Sequence, residues 1–195
     1  MIGREMEQSL DTTSDQLLML AVREGDIEKL GILFERHHRR LFNFFLRLTA
    51  RRHLSEDLVQ EVFVRLLKYR NTYREKNGFT AWMFQIARNV HIDFHRKIPF
   101  DEVGIENGEK EHASLLPTPC DQSEENEKMQ IVQRALSKLS VEKREILLLR
   151  GIHGLKFEEI TGIMKCSVNT VKARAFRAVR DLRVAVHRIE SVREI

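Results

Sequence analysis

Proline is confined to one stretch of this chain, at Pro99, Pro117 and Pro119, and only nine glycines are spread over all 195 residues. Long segments are therefore free of the two residues that most strongly break helices. No segment alternates polar and apolar residues over the length of a strand, so an all-α fold is expected. The two cysteines, Cys120 and Cys166, have no paired or metal-like spacing, which excludes a disulfide framework and a structural zinc site. No apolar run approaches the ~18 residues that cross a bilayer. The opening MIGREMEQSLDTTSD is polar and acidic rather than basic then apolar, so a cytoplasmic protein without membrane insertion is expected. A phosphate-binding glycine loop, a nucleophile elbow and a pair of catalytic carboxylates are also missing. Neither an enzyme nor a cofactor is expected.

What is present is charge, unevenly placed. The net charge is only +4, yet residues 1–28 carry −5, residues 29–97 carry +9, residues 98–127 carry −8 and residues 128–195 carry +8. Two basic blocks flank an acidic one. Two cationic lobes suit two contacts on a polyanion, although a charged face is by default a solvated face. The acidic stretch holds all three prolines and little apolar periodicity. It divides the chain into a domain at 1–97, a flexible linker at 98–127 and a second domain at 128–195.

Residues 139–183 carry the most specific signal, a helix-turn-helix. Residues 157–164 form a short helix with Glu158 and Glu159 in its first turn, Lys165, Cys166 and Ser167 make the turn, and Ser167 caps the second helix. Val171, Ala175, Ala178 and Leu182 recur at helical spacing as its buried stripe, leaving Asn169, Ala173, Phe176, Arg177 and Arg180 on the opposite face. Short side chains near the N-terminal end followed by cations suit a major-groove recognition helix, base edges first and phosphates flanking. Lys172 and Arg177 are phosphate-contact candidates.

Upstream, Thr13 and Gln16 offer a capping box for a first helix ending at Gly25. Residues 27–50 form a long amphipathic helix with Leu30, Phe34, His37, Leu41, Phe44, Phe45 and Leu48 inward, so His37 is expected as a satisfied core histidine. Ser55 is expected to cap a third helix, with Leu58, Val62, Leu66 and Tyr69 inward and Asp57, Gln60 and Glu61 as an acidic patch on a basic domain. After the polar loop NTYREKNG, a fourth helix buries Phe79, Trp82, Met83, Ile86, Val90 and Phe94, with Arg88, Asn89, His95 and Arg96 on its other face. Trp82 reads as core. His91 and His95, four apart and expected on the solvent side, could be drawn as a metal site. No third ligand is evident, because Asp93 turns toward the apolar stripe, so no metal is expected.

GLKFEEITGIMKCSVNTVKARAFRAVRDLR (residues 154–183), SEDLVQEVF (55–63) and FTAWMFQIARNVHIDFHRK (79–97) together resemble the bacterial RNA polymerase sigma factors of the extracytoplasmic-function group in the sigma-70 family. The resemblance implies docking of Asp57, Gln60 and Glu61 on the clamp helices of the largest subunit of core polymerase. It implies binding of the promoter's minus-ten strand by the loop and fourth helix, with Tyr73, Arg74, Lys76, Arg88, Asn89 and Arg96 as candidates. It implies reading of the minus-thirty-five element by Ser167, Asn169, Thr170, Lys172, Ala173, Arg174, Phe176, Arg177 and Arg180. Restraint by an anti-sigma factor and passage of the linker through the RNA exit channel are further implications. Two other readings stand beside this one: a free-standing helix-turn-helix regulator binding DNA as a dimer, and a helical metallohydrolase built on His91 and His95.

Overall fold

A computed structural model describes residues 13–97 and 124–193, and among them every regular element is helical. The stretch expected as a flexible linker lies almost wholly outside the described residues.

Four helices form the first unit: α1 (Asp15–Glu24), α2 (Lys29–Thr49), α3 (Arg52–Lys68) and α4 (Phe79–Lys97). The cap of α1 is Ser14 rather than Thr13, its Oγ accepting from Leu17 N at 3.4 Å, and Gly25 ends the helix at φ 113 as expected. Asp15 ties α1 to α2, holding Arg36 at 2.8 Å and His37 Nε2 at 2.7 Å. His37 is thus a core histidine as the sequence indicates, but only half satisfied, since its buried Nδ1 has no hydrogen-bond partner. Burial nevertheless outweighs Asp15 and keeps its pKa below the ordinary value. Phe44 and Phe45 are fully buried and meet edge to face at 5.5 Å. Removing either ring to alanine would cost ~3–5 kcal/mol.

Ser55 does not cap α3. The helix begins at Arg52, and Ser55 is buried inside its first turns, donating to Arg51 O at 2.6 Å. A serine that reaches back to the carbonyl four residues earlier reads in sequence like a cap. Tyr69, expected inward, is 42% exposed because α3 ends at Lys68 and the chain turns there. Short 3-10 turns at Arg70–Thr72 and Glu75–Asn77 then lead into α4.

The second unit comprises α5 (Glu124–Ser137), α6 (Val141–Leu147), α7 (Phe157–Met164) and α8 (Val168–Arg193). Helix α5 starts inside the stretch assigned to the linker, and α6 passes at Leu148–Ile152 into a π-type turn. Helix α7 has the bounds the sequence indicates. Lys156 supplies no side-chain cap, but Glu159 Oε2 accepts from Lys156 N at 2.7 Å, meeting one orphan donor. Ser167 Oγ accepts from Thr170 N at 3.2 Å and so caps α8.

The two units are packed together. Helix α4 lies on α7, and α2 contacts α5 and α6. The buried side chains of both units form one continuous apolar cluster.

Lys165 ends α7 in the left-handed region, at φ 52 and ψ 46. That conformation crowds Cβ against the following carbonyl. Lys165→Gly is expected to raise stability by ~0.5–1 kcal/mol, measured as the unfolding midpoint in urea.

Candidate nucleic-acid interface

The helix-turn-helix sets its surfaces by periodicity. Val171 and Ala178 are fully buried and Ala175 is 8% exposed, so α8 is pinned along one stripe. Asn169, Lys172, Ala173, Phe176, Arg177 and Arg180 are all exposed. Phe176, at 73% exposure, is the most exposed large apolar side chain among the described residues. A ring of this size left in water has little to offer the fold and can contact a thymine methyl or a sugar. The other three candidates of this helix are partly engaged. Ser167 and Thr170 share a hydroxyl contact at 2.9 Å, and Arg174 pairs with Glu142 of α6. Lys143 of α6 in turn holds Asp181 at 2.6 Å. Helix α6 therefore braces α8 from one side and leaves its outer face open.

The minus-ten candidates divide into three kinds. Arg74 and Lys76 are exposed on the loop, and Arg96 has an 81% exposed side chain with a loose 3.6 Å pair to Asp93. Tyr73 is a correction: it is fully buried, with its ring 5.0 Å from Trp82, and its hydroxyl has no hydrogen-bond partner. The loop folds its one tyrosine into the core, where the apolar ring outweighs the stranded hydroxyl. Arg88 and Asn89 are a third kind, half-buried beside the second unit. Arg88 Nε meets Glu145 Oε2 of α6 at 3.0 Å, and Asn89 lines a groove with Lys165.

Asp57 and Gln60 are exposed on α3, and Glu61 is half-buried. The Glu61 carboxylate accepts from Arg65 Nε at 2.7 Å, and Arg65 also donates to Asp93 of α4 at 2.6 Å. This bridge fixes the acidic stripe on a rigid helix. Val64, 59% exposed, continues the stripe one turn further.

The seam between the units gathers groups that sequence reasoning missed. Glu145 is 2% exposed, and burial raises its pKa against the opposing pull of Arg88. Arg144 donates to Leu48 O of α2. Arg40 of α2 donates to His153 O at 2.6 Å and to His153 Nδ1 at 3.3 Å, while the His153 ring lies 4.5 Å from Phe84 and 5.7 Å from Phe44. His91 is not on the solvent side: it is 1% exposed, facing Glu145 at 3.8 Å and His95 at 3.1 Å. Asp93, expected toward the apolar stripe, pairs with Arg65 instead. The missed signal was that Glu145 shares a helical face with Leu148 and Leu149, which marks a carboxylate on an apolar stripe.

Two family models match the chain: sigma-70 region 2 over residues 33–98 and sigma-70 region 4 over residues 129–182. The sigma-E factor of Haemophilus influenzae, an extracytoplasmic-function RNA polymerase sigma factor, is 28% identical over 173 residues, covering 85% of this chain and 91% of that protein. The sigma-E factor of Escherichia coli is 30% identical over 173 residues, with 85% and 90% covered. Among solved structures, the sigma factor RpoE of Bartonella quintana, crystallised with the anti-sigma factor NepR, aligns with a TM-score of 0.64 at 23% identity over 80% of this chain and 96% of its own. CnrH in complex with the cytosolic domain of CnrY aligns with a TM-score of 0.65 at 21% identity over 89% and 97%.

The seam is sensitive to acid. Burial, reinforced by the Arg40 and Arg47 cations, pushes His153 down to about 3, and burial with His95, Arg144 and Arg88 pushes His91 down to about 4. An exposed histidine titrates near 6.5, so below that pH the unfolded chain takes up protons that the packed one refuses. Stability from each histidine is complete above 6.5 and falls by as much as ~1.4 kcal/mol per pH unit on acidification. Glu145, whose pKa is raised, works in the opposite sense. The unfolding temperature is expected to drop between pH 7.5 and 5.5, and His153→Phe is expected to make that drop shallower.

Proposed function

The chain belongs to the extracytoplasmic-function group of the sigma-70 family, and from that premise we propose which of its surfaces does which part of the work. A factor of this kind binds core RNA polymerase and directs it to particular promoters. The observation that carries the assignment for this chain is the outer face of α8, where Asn169, Ala173, Phe176, Arg177 and Arg180 all lie exposed on a helix whose other side is buried. A free-standing regulator would need the same face. It would have no use for Asp57, Gln60 and Glu61, and the similarity to sigma factors runs through both units.

In this reading, α3 docks on the polymerase clamp through Asp57, Gln60 and Glu61. Helix α8 enters the major groove of the minus-thirty-five element with Asn169 and Ala173 at the base edges and Lys172 and Arg177 on phosphates. Arg74, Lys76, Arg88, Asn89 and Arg96 serve the separated minus-ten strand, and strand opening draws on binding energy rather than catalysis. The place of work is the cytoplasm, with the polymerase. An anti-sigma protein as restraint fits the company in which the Bartonella quintana sigma factor RpoE was crystallised, the anti-sigma factor NepR.

Run-off transcription with purified core polymerase on a library of genomic fragments tests the reading, and a discrete set of start sites is expected. Asp57→Lys with Glu61→Lys is expected to weaken core binding at least tenfold in a pull-down while helicity by circular dichroism stays unchanged. Unchanged affinity would remove the assignment of α3.

The recognition helix has its own test, binding to a panel of single-base promoter variants. Arg177→Ala is expected to weaken all sequences and lower the salt dependence by about one phosphate contact. Asn169→Ala is expected to change the preferred base at one or two positions, at ~1–3 kcal/mol. A uniform loss from Asn169→Ala would make α8 a backbone clamp.

A further inference from the structure

His91 and His95 take no part in the surfaces assigned above, yet their geometry is more specific than a shared helical face requires. Their Nε2 atoms stand 3.1 Å apart, while the ring centroids are 4.5 Å apart. The nitrogens are closer than the rings, so the two Nε2 edges converge. Two imidazoles bound to one zinc ion at ~2.0–2.1 Å, at a tetrahedral angle, hold their nitrogens ~3.3 Å apart. We propose that His91 Nε2 and His95 Nε2 form a two-imidazole site on α4 for a late divalent transition metal ion of the zinc, nickel or copper class.

The surroundings suit such a site. The two ligands are four residues apart on one regular helix, the spacing at which helical histidines share a metal. Glu145 Oε1 faces His91 at its other ring nitrogen, Nδ1, at 3.8 Å. A carboxylate there favours the proton on Nδ1 and leaves the Nε2 lone pair for a metal. One ligand is fixed and the other reachable, since His91 is 1% exposed and His95 is exposed. Packing therefore holds the inner ring in place while an ion enters from solvent past the outer one. Burial lowers the pKa of both rings, with help from His95, Arg144 and Arg88 at His91 and from Arg144 at His95, so protons do not compete at neutral pH.

The same arginines set the selectivity. Their charge opposes any cation, which excludes magnesium and calcium, ions held by oxygen and charge, and retains ions that bond strongly to imidazole. Among the described residues no group of three or more His, Cys, Asp or Glu side chains is arranged to hold a metal ion. Water therefore fills the remaining coordination positions. Without metal, His95 Nε2 donates to His91 Nε2. On binding, that proton moves through water to His95 Nδ1, and neither ring changes its charge.

The test is calorimetric titration of the metal-free full chain with Ni²⁺, Zn²⁺ and Mg²⁺, each alone, at neutral pH. Wild type is expected to take one tight equivalent of Ni²⁺ or Zn²⁺ and to show no binding of Mg²⁺. His95→Ala removes an exposed ring, and circular dichroism checks that it folds. It is expected to weaken Ni²⁺ and Zn²⁺ binding by roughly tenfold or more. Excess Ni²⁺ is expected to raise the unfolding temperature of wild type but not of His95→Ala, because the two nitrogens converge only on the folded helix. No tight binding by wild type, equal affinity in the two proteins, or binding of Mg²⁺ as tight as that of Ni²⁺ would each overturn the proposal.

Discussion

A carboxylate that is 2% exposed cannot keep its charge without a cation close by, and the cation nearest Glu145 belongs to the other half of the molecule. Much of the arrangement depends on that pairing. Breaking such a buried pair from one side typically costs ~3–5 kcal/mol, because the remaining charge is stranded. The seam around it brings further polar groups into the same bargain. The Arg40 guanidinium and the Leu48 carbonyl find hydrogen-bond partners across the units. Residues far apart in sequence, such as Arg40 and His153, are thereby joined in one network, and the apolar cores of the two units merge beside it.

Much of each unit was legible in the sequence, because helical periodicity reports on local burial. The stripe Val171, Ala175 and Ala178, the open face from Asn169 to Arg180 and the inward Trp82 all follow from spacing. Boundaries were less legible. Ser14 rather than Thr13 caps α1, and Ser55 lies inside α3, since neighbouring hydroxyl residues offer equivalent local hydrogen bonds. Tyr73 was misplaced for a different reason: in a polar loop no period indicates which side chain will fold inward.

The seam was not legible, and the cause is physical. A helix wheel identifies a polar face but not what covers it. Arg88 and Asn89 lie on the polar face of α4 as expected, yet that face is turned to α7 rather than to solvent. His91 was assigned to water by the same logic and is instead among the least exposed polar side chains described. Glu145 was the informative residue, an acid on a stripe of leucines, and it needed a partner that local sequence could not supply.

The seam holds the two units together in the free chain, with Arg88 paired to Glu145 and α4 packed on α7. Double electron–electron resonance between spin labels at exposed Glu35 on α2 and Arg183 on α8, in a chain carrying Cys120→Ser and Cys166→Ser, tests this most directly. One narrow, short distance is expected in the free chain, and a broader, longer distribution once Glu145→Ala strands Arg88. An identical distribution in the two proteins, both folded by circular dichroism, would contradict it.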